Sequence, residues 1–159
     1  MNGEHASGLQ DLFRNPMFLS AILSLFVAQF AKAAIGMFKA RPWRLKDVFG
    51  TLLWRTGGMP SSHSALAISL ATAAGFSEGM GSNLFALSLF FALVVIRDAL
   101  GVRRAAGLQA KALNSLGTRA SRRLGLVFRP VKEIHGHTPG QVLVGGLLGF
   151  FIALAVSTL

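Results

Sequence analysis

The sequence predicts an all-α, polytopic membrane helical bundle, and three observations carry that prediction. The chain is 52% hydrophobic and only 14% charged over 159 residues, a one-domain length but too apolar for an ordinary soluble domain. Four apolar stretches recur along it, each near the roughly 20 residues that cross a bilayer core. The connections between them alternate: long, polar and basic, then short and nearly uncharged, then long and basic again. Residues 1–159 read as a single domain without internal repeats.

The N-terminal stretch MNGEHASGLQDLFRN carries acidic residues and no basic run, so it reads as a polar lead-in rather than a secretory signal. The first apolar segment follows from Pro16 to Phe38 and carries Gln29 and Lys32. The second, from about Ser61 to Phe76, is rich in Ala and Ser and suits packing against other helices rather than lipid. The third runs from Ser82 to Ile96, with Arg97 and Asp98 directly after it. The fourth, Gly140 to Leu159, has no charge, and its Gly145, Gly146 and Gly149 permit close helix approach. Between the last two, Arg103 to Leu126 is basic with Leu108, Leu113, Leu116 and Leu124 interleaved. It reads either as a helical extension with an interfacial piece or as a solvated basic loop.

If the four segments alternate in direction, the end of the first, the start of the second, the end of the third and the start of the fourth share one side of the membrane. Nearly every polar motif sits at one of those places. The net charge of +10 calls for an anionic partner, and with long apolar runs and no nucleic-acid module, lipid headgroups or a phosphorylated substrate fit better than nucleic acid. Of the 16 Lys and Arg residues, all but Arg14 and the intramembrane Lys32 fall on the side of the motifs. That bias predicts a cytoplasmic, or stromal, active face. The absence of Cys removes disulfides and thiolate metal sites. No Asp/Glu/His cluster points to a metal, and no cofactor is called for.

Two stretches carry the chemistry. In Gly57-Gly58-Met59-Pro60-Ser61-Ser62-His63-Ser64, the glycines allow close backbone approach, and Pro60-Ser61-Ser62 signals a helix start with a serine N-cap. A helix N-terminus cradles phosphate, and His63 in its first turn reaches a bound ester. The plain alternative is a capped helix with an incidental histidine. In Lys132-Glu133-Ile134-His135-Gly136-His137-Thr138-Pro139-Gly140-Gln141, His137 precedes Gln141 by one helical turn, so the two side chains can meet. A nucleophilic histidine needs one ring nitrogen free and the other held. His135, with Pro139 four residues on, lacks such an orienter and reads as a loop residue.

Pro60-Ser61-Ser62-His63 and His137-Thr138-Pro139-Gly140-Gln141 with its Gly-rich continuation resemble motifs of the type 2 phosphatidic acid phosphatase family, which includes vanadium haloperoxidases. The chain is most similar to the family's divergent, short bacterial and plastid branch, through Gly57–Ser64, Asp98–Arg103 and Gly136–Pro139. The resemblance covers about Ala28 to Gly149. It implies a membrane-embedded lipid phosphatase in which His137 is the nucleophile that becomes phosphohistidine and His63 the general acid. It also implies that Gly58, Ser61 and Ser62 help to hold phosphate oxygens. The family's first motif, a Lys and an Arg-Pro pair, corresponds to Lys32 or Lys39 with Arg41-Pro42. The sequence departs from the family at Gln141, where a carboxylate is usual. It departs again at Val131, where an arginine is usual and Lys132, Arg129, Arg103 or Arg104 offers replacement charge. Asp98 reads as a supporting residue, paired to Arg97 or Arg104 or orienting a site histidine. The expected partners are a membrane and a lipid phosphate, not nucleic acid, and a homo-oligomer is compatible with the sequence. A rival reading, kept open by Gln141, is a non-catalytic membrane protein with a lipid-phosphate pocket.

Overall fold

A computed structural model of the chain describes residues 4–39, 58–133 and 136–159. Among them, six helices occur: α1 (Glu4–Arg14), α2 (Pro16–Lys39), α3 (Ser62–Glu78), α4 (Asn83–Leu100), α5 (Val102–Leu124) and α6 (Pro139–Thr158). The polar lead-in is thus helical from Glu4, and the basic stretch after Gly101 is a helix rather than a loop.

Most of these helices begin where a short polar side chain meets the first free N–H groups. Asn15 Oδ1 accepts from Met17 N (2.9 Å) and Phe18 N (3.3 Å), with Pro16 at the first helical position. Ser61 caps α3, Ser82 caps α4 and Thr138 caps α6. Gly79, at φ 84°, ends α3 in a conformation that side chains resist.

Three helical stretches are long and apolar enough to cross a membrane: Pro16–Phe38, Asn83–Leu124 and Pro139–Thr158. The second apolar segment of the sequence, α3, has 17 residues and lies at the centre of the bundle against α2, α4 and α6. Its buried face is made of Ala65, Ala67, Ala71, Ala73, Ala74 and serines. The large side chains point outward instead: Phe26, Phe30, Phe90, Val94, Leu143 and Phe151 are all exposed. A soluble domain would bury these residues; a surface of phenylalanine and leucine over a core of alanine, serine and glycine is what a lipid solvent selects.

Helix directions follow from paired residues. Lys32 meets Ser62 and Ser24 meets Ser69 (Oγ to Oγ 2.7 Å), so α2 and α3 are antiparallel. A Cβ on Gly75 would touch the Phe85 ring, and Ala67 and Ala71 cluster with Ala92, so α3 and α4 are antiparallel too. A Cβ on Gly145 would fall on the Ser61 carbonyl and one on Gly149 on the Ala65 carbonyl, so α3 and α6 run parallel, nearly backbone to backbone. The end of α2, the start of α3, the end of α4 and the start of α6 therefore share one end of the bundle, as the alternation of connections predicts.

Candidate active site

The parallel starts of α3 and α6 are locked together by a hydrogen bond from Ser61 N to Gln141 O (3.0 Å). Each start carries a histidine. His63 lies in the first turn of α3, with its side chain exposed. His137 lies just before the cap of α6 and is buried. Its backbone N–H donates to Ala99 O (3.2 Å) at the end of α4. Gly136 before it packs on the Arg104 backbone with no room for a Cβ. Both histidines line one pocket of about 240 Å³, together with Val94, Val95, Asp98, Ala99 and Arg103.

Gln141 determines the chemistry of His137. Its Oε1 accepts from Thr138 N (3.0 Å) and lies 3.3 Å from His137 Nδ1. A backbone N–H only donates, so the amide atom facing it must be the oxygen. The same oxygen faces His137 Nδ1, which must then carry the proton. Nε2 is left with its lone pair free. Burial lowers the affinity of the ring for a second proton; the Gln141 contact opposes this, and the Lys32 and Arg103 cations reinforce it. Both effects favour a neutral imidazole with its proton on Nδ1, the state a nucleophile requires. Gln141 also completes a capping box with Thr138, so the side chain that starts the helix is the one that orients the histidine.

Lys32 is buried on α2, and its Nζ lies 3.4 Å from Ser62 Oγ. Gly58, at φ 92°, brings the chain past the Lys32 stem. Ser61 plays a different part from Ser62. Its hydroxyl is fully buried and accepts from Ser64 N (3.3 Å) and Ser64 Oγ (2.9 Å), which makes it a cap rather than a free phosphate ligand. Asp98 pairs with Arg103 (2.5 Å) and with neither Arg97 nor Arg104, because α4 ends at Gly101 and the chain restarts with Arg103 on the pocket side. All four replacement cations are exposed, but of Arg103, Arg104, Arg129 and Lys132 only Arg103 lines this pocket. Arg41, His135 and the side chain of Lys39 fall outside the described residues.

Sequence reasoning missed Asn114. Its side chain bonds Val131 in both directions, Nδ2 to O and N to Oδ1 (each 2.9 Å), and also reaches Glu133 Oε1 (2.9 Å). The loop leading to His137 is thereby tied to α5. Only the pairing of distant segments shows this, for nothing local distinguishes Asn114 from a surface residue.

Fold and site together define an integral membrane protein with a histidine- and arginine-lined pocket at one end of its helix bundle. The chain belongs to the divergent PAP2 family, whose family model matches residues 13–152. It is similar to the uncharacterized membrane protein YuiD of Bacillus subtilis (strain 168), 34% identical over 158 residues that cover 92% of this chain and 97% of the relative. No solved structure matches the chain.

Proposed function

We propose that this protein is a lipid phosphatase that hydrolyses a phosphate monoester or diphosphate on a phosphatidyl or prenyl lipid through a phosphohistidine intermediate. One observation carries the reading: His137, held in the Nδ1–H tautomer by Gln141, shares a pocket with His63 and Arg103. In this mechanism His137 Nε2 attacks the terminal phosphorus as the P–O bond to the leaving group breaks, an ester bond in a monoester and an anhydride bond in a diphosphate. His63 gives a proton to the leaving alkoxide or lipid phosphate. Water, losing its proton to His63, then attacks the phosphohistidine; the P–N bond breaks and inorganic phosphate leaves. Arg103, Lys32 with Ser62, and the first-turn N–H groups of α3 offset the charge spread over the equatorial oxygens. Phosphoryl transfer asks for little beyond such positioning and charge.

Phosphate release by the purified protein from a panel of lipid phosphates tests the reading. Turnover is expected to persist in EDTA and to be inhibited by vanadate, which imitates the trigonal-bipyramidal transition state. Loss of turnover in chelator, restored by Mg²⁺, would overturn the mechanism. Gln141 supports a second reading, a pocket that binds lipid phosphate without turnover, since an amide orients the imidazole but stabilises an imidazolium less than a carboxylate does. Vanadate binding without phosphate release from any lipid phosphate selects that reading.

The excess of basic residues supports a cytoplasmic or stromal active face. The chain contains no cysteine, so single cysteines at Ser82 and Ser115 can be probed in intact cells with an impermeant thiol reagent. Labelling at Ser82 alone fits this orientation, and labelling at Ser115 alone reverses it.

A further inference from the structure

Helix α5 is unlike the rest of the molecule. It follows directly on α4 across Gly101, yet it buries none of its residues against the bundle. Helical periodicity divides its surface. Leu113, Leu116, Ala120 and Leu124, spaced by three and four residues, form one stripe, and its three leucines are 51%, 65% and 69% exposed. Arg104, Lys111 and Ser115 occupy the opposite side. Arg119, Arg122 and Arg123 line a shallow groove with Leu116, Ala120 and Leu124. A third face, bearing Asn114, Gly117 and Ser121, holds the returning chain: Ser121 donates to Leu126 O, and Gly117 lies flush against the Phe128 ring.

We propose that α5 lies in the plane of the membrane surface on the pocket side, with its leucine stripe in the acyl boundary and its arginines among anionic headgroups. Three observations select a bilayer as the occupant of this face. The candidate span Asn83–Leu124 contains both α4 and α5, but its uncharged apolar run ends at Ile96 and every residue from Val102 on belongs to the basic helix, so α5 starts at the membrane edge. Its apolar stripe is flanked by Arg119 and Arg123, whose stems can lie along the apolar layer while their charges reach phosphate. Its remaining charge is wholly basic, complementary to an anionic leaflet. The same helix carries Arg103 into the pocket and holds the loop before His137 through Asn114. Anionic lipid gathered along α5 is therefore gathered at the mouth of the site.

The test uses the full chain with a single cysteine in place of Leu116 or Ser115, each labelled with an environment-sensitive fluorophore. The labelled chains are reconstituted one per nanodisc, in phosphatidylcholine or in phosphatidylcholine mixed with phosphatidylglycerol. The label at position 116 is expected to emit at shorter wavelength than that at 115 and to be quenched by spin-labelled acyl chains, more strongly when phosphatidylglycerol is present. High salt, or Arg119→Glu with Arg123→Glu, should weaken the dependence on phosphatidylglycerol. Equal, water-like emission at both positions in both lipids would overturn the proposal. So would a shift at 116 that appears only when two chains share a disc, since the stripe would then be covered by a second copy. None of these readouts depends on phosphatase activity.

Discussion

The two histidine-bearing helix starts differ in where the histidine stands relative to the cap, and that difference separates their chemistry. At α6 the histidine precedes the capping residue, and the N3 side chain reaches back to it, so His137 is buried with Nδ1 against the Gln141 oxygen, which favours one neutral tautomer. At α3 the histidine follows the cap. The cap hydroxyl is spent on Ser64, and His63 projects into the pocket with an exposed ring. A nucleophile must present one lone pair in one place, whereas a general acid must collect and return protons. One kind of local motif, a Ser/Thr-capped helix start, thus yields a held imidazole or an accessible one through a shift of a few residues.

The strongest way to break this comparison is to remove the held ring. His137→Ala should abolish turnover while far-UV circular dichroism and the thermal transition stay near wild type; residual turnover would move the nucleophile elsewhere. Removing the accessible ring should cost less. His63→Ala should lower the rate roughly 10²- to 10⁴-fold on alkyl phosphates and much less on aryl phosphates, whose leaving groups need no proton. An equal loss on both classes would make His63 a phosphate ligand instead of an acid.

The pH profile sharpens the contrast. In the proposed mechanism His137 reacts as a neutral ring, and burial together with Lys32 and Arg103 lowers its pKa from 6.5. The acid limb of kcat/KM should therefore fall below the ordinary imidazole range, with activity retained at mildly acidic pH. Gln141→Glu should keep or raise the rate and move that limb to higher pH, because a carboxylate favours the imidazolium; Gln141→Asp should act in the same direction. A collapse in rate with the fold intact would mean that the amide donates to substrate. The smallest effect on chemistry should come from Asn114→Ala. Each lost hydrogen bond is worth about 0.5–1.5 kcal/mol, so the thermal transition drops modestly. If the clamp positions the His137 loop, kcat falls several-fold with KM little changed.

What the sequence determined by itself is largely what is decided within a helical turn. Asn15-Pro16, Ser61, Ser82 and Thr138 cap the helices at or within a residue of the expected boundaries. The His137–Gln141 pair is legible for the same reason, since residues four apart on a helical start are neighbours. Alternating connections also foretold which helix ends gather at one side. The tertiary structure alone decided the contacts that depend on how helices are packed. The glycines of α6 are visible in the sequence, but that Gly145 and Gly149 lie against the Ser61 and Ala65 carbonyls of α3 is not. Nor is the choice of Arg103 as partner of Asp98, which turns on the break at Gly101, or the division of Ser61 and Ser62 into cap and lysine partner. Asn114 was unreadable because its partners lie 17 and 19 residues away. Pattern reveals what a helix repeats every turn; which atoms of two helices meet depends on their rotation and separation, and a packed interface sets those only when all its members are in place.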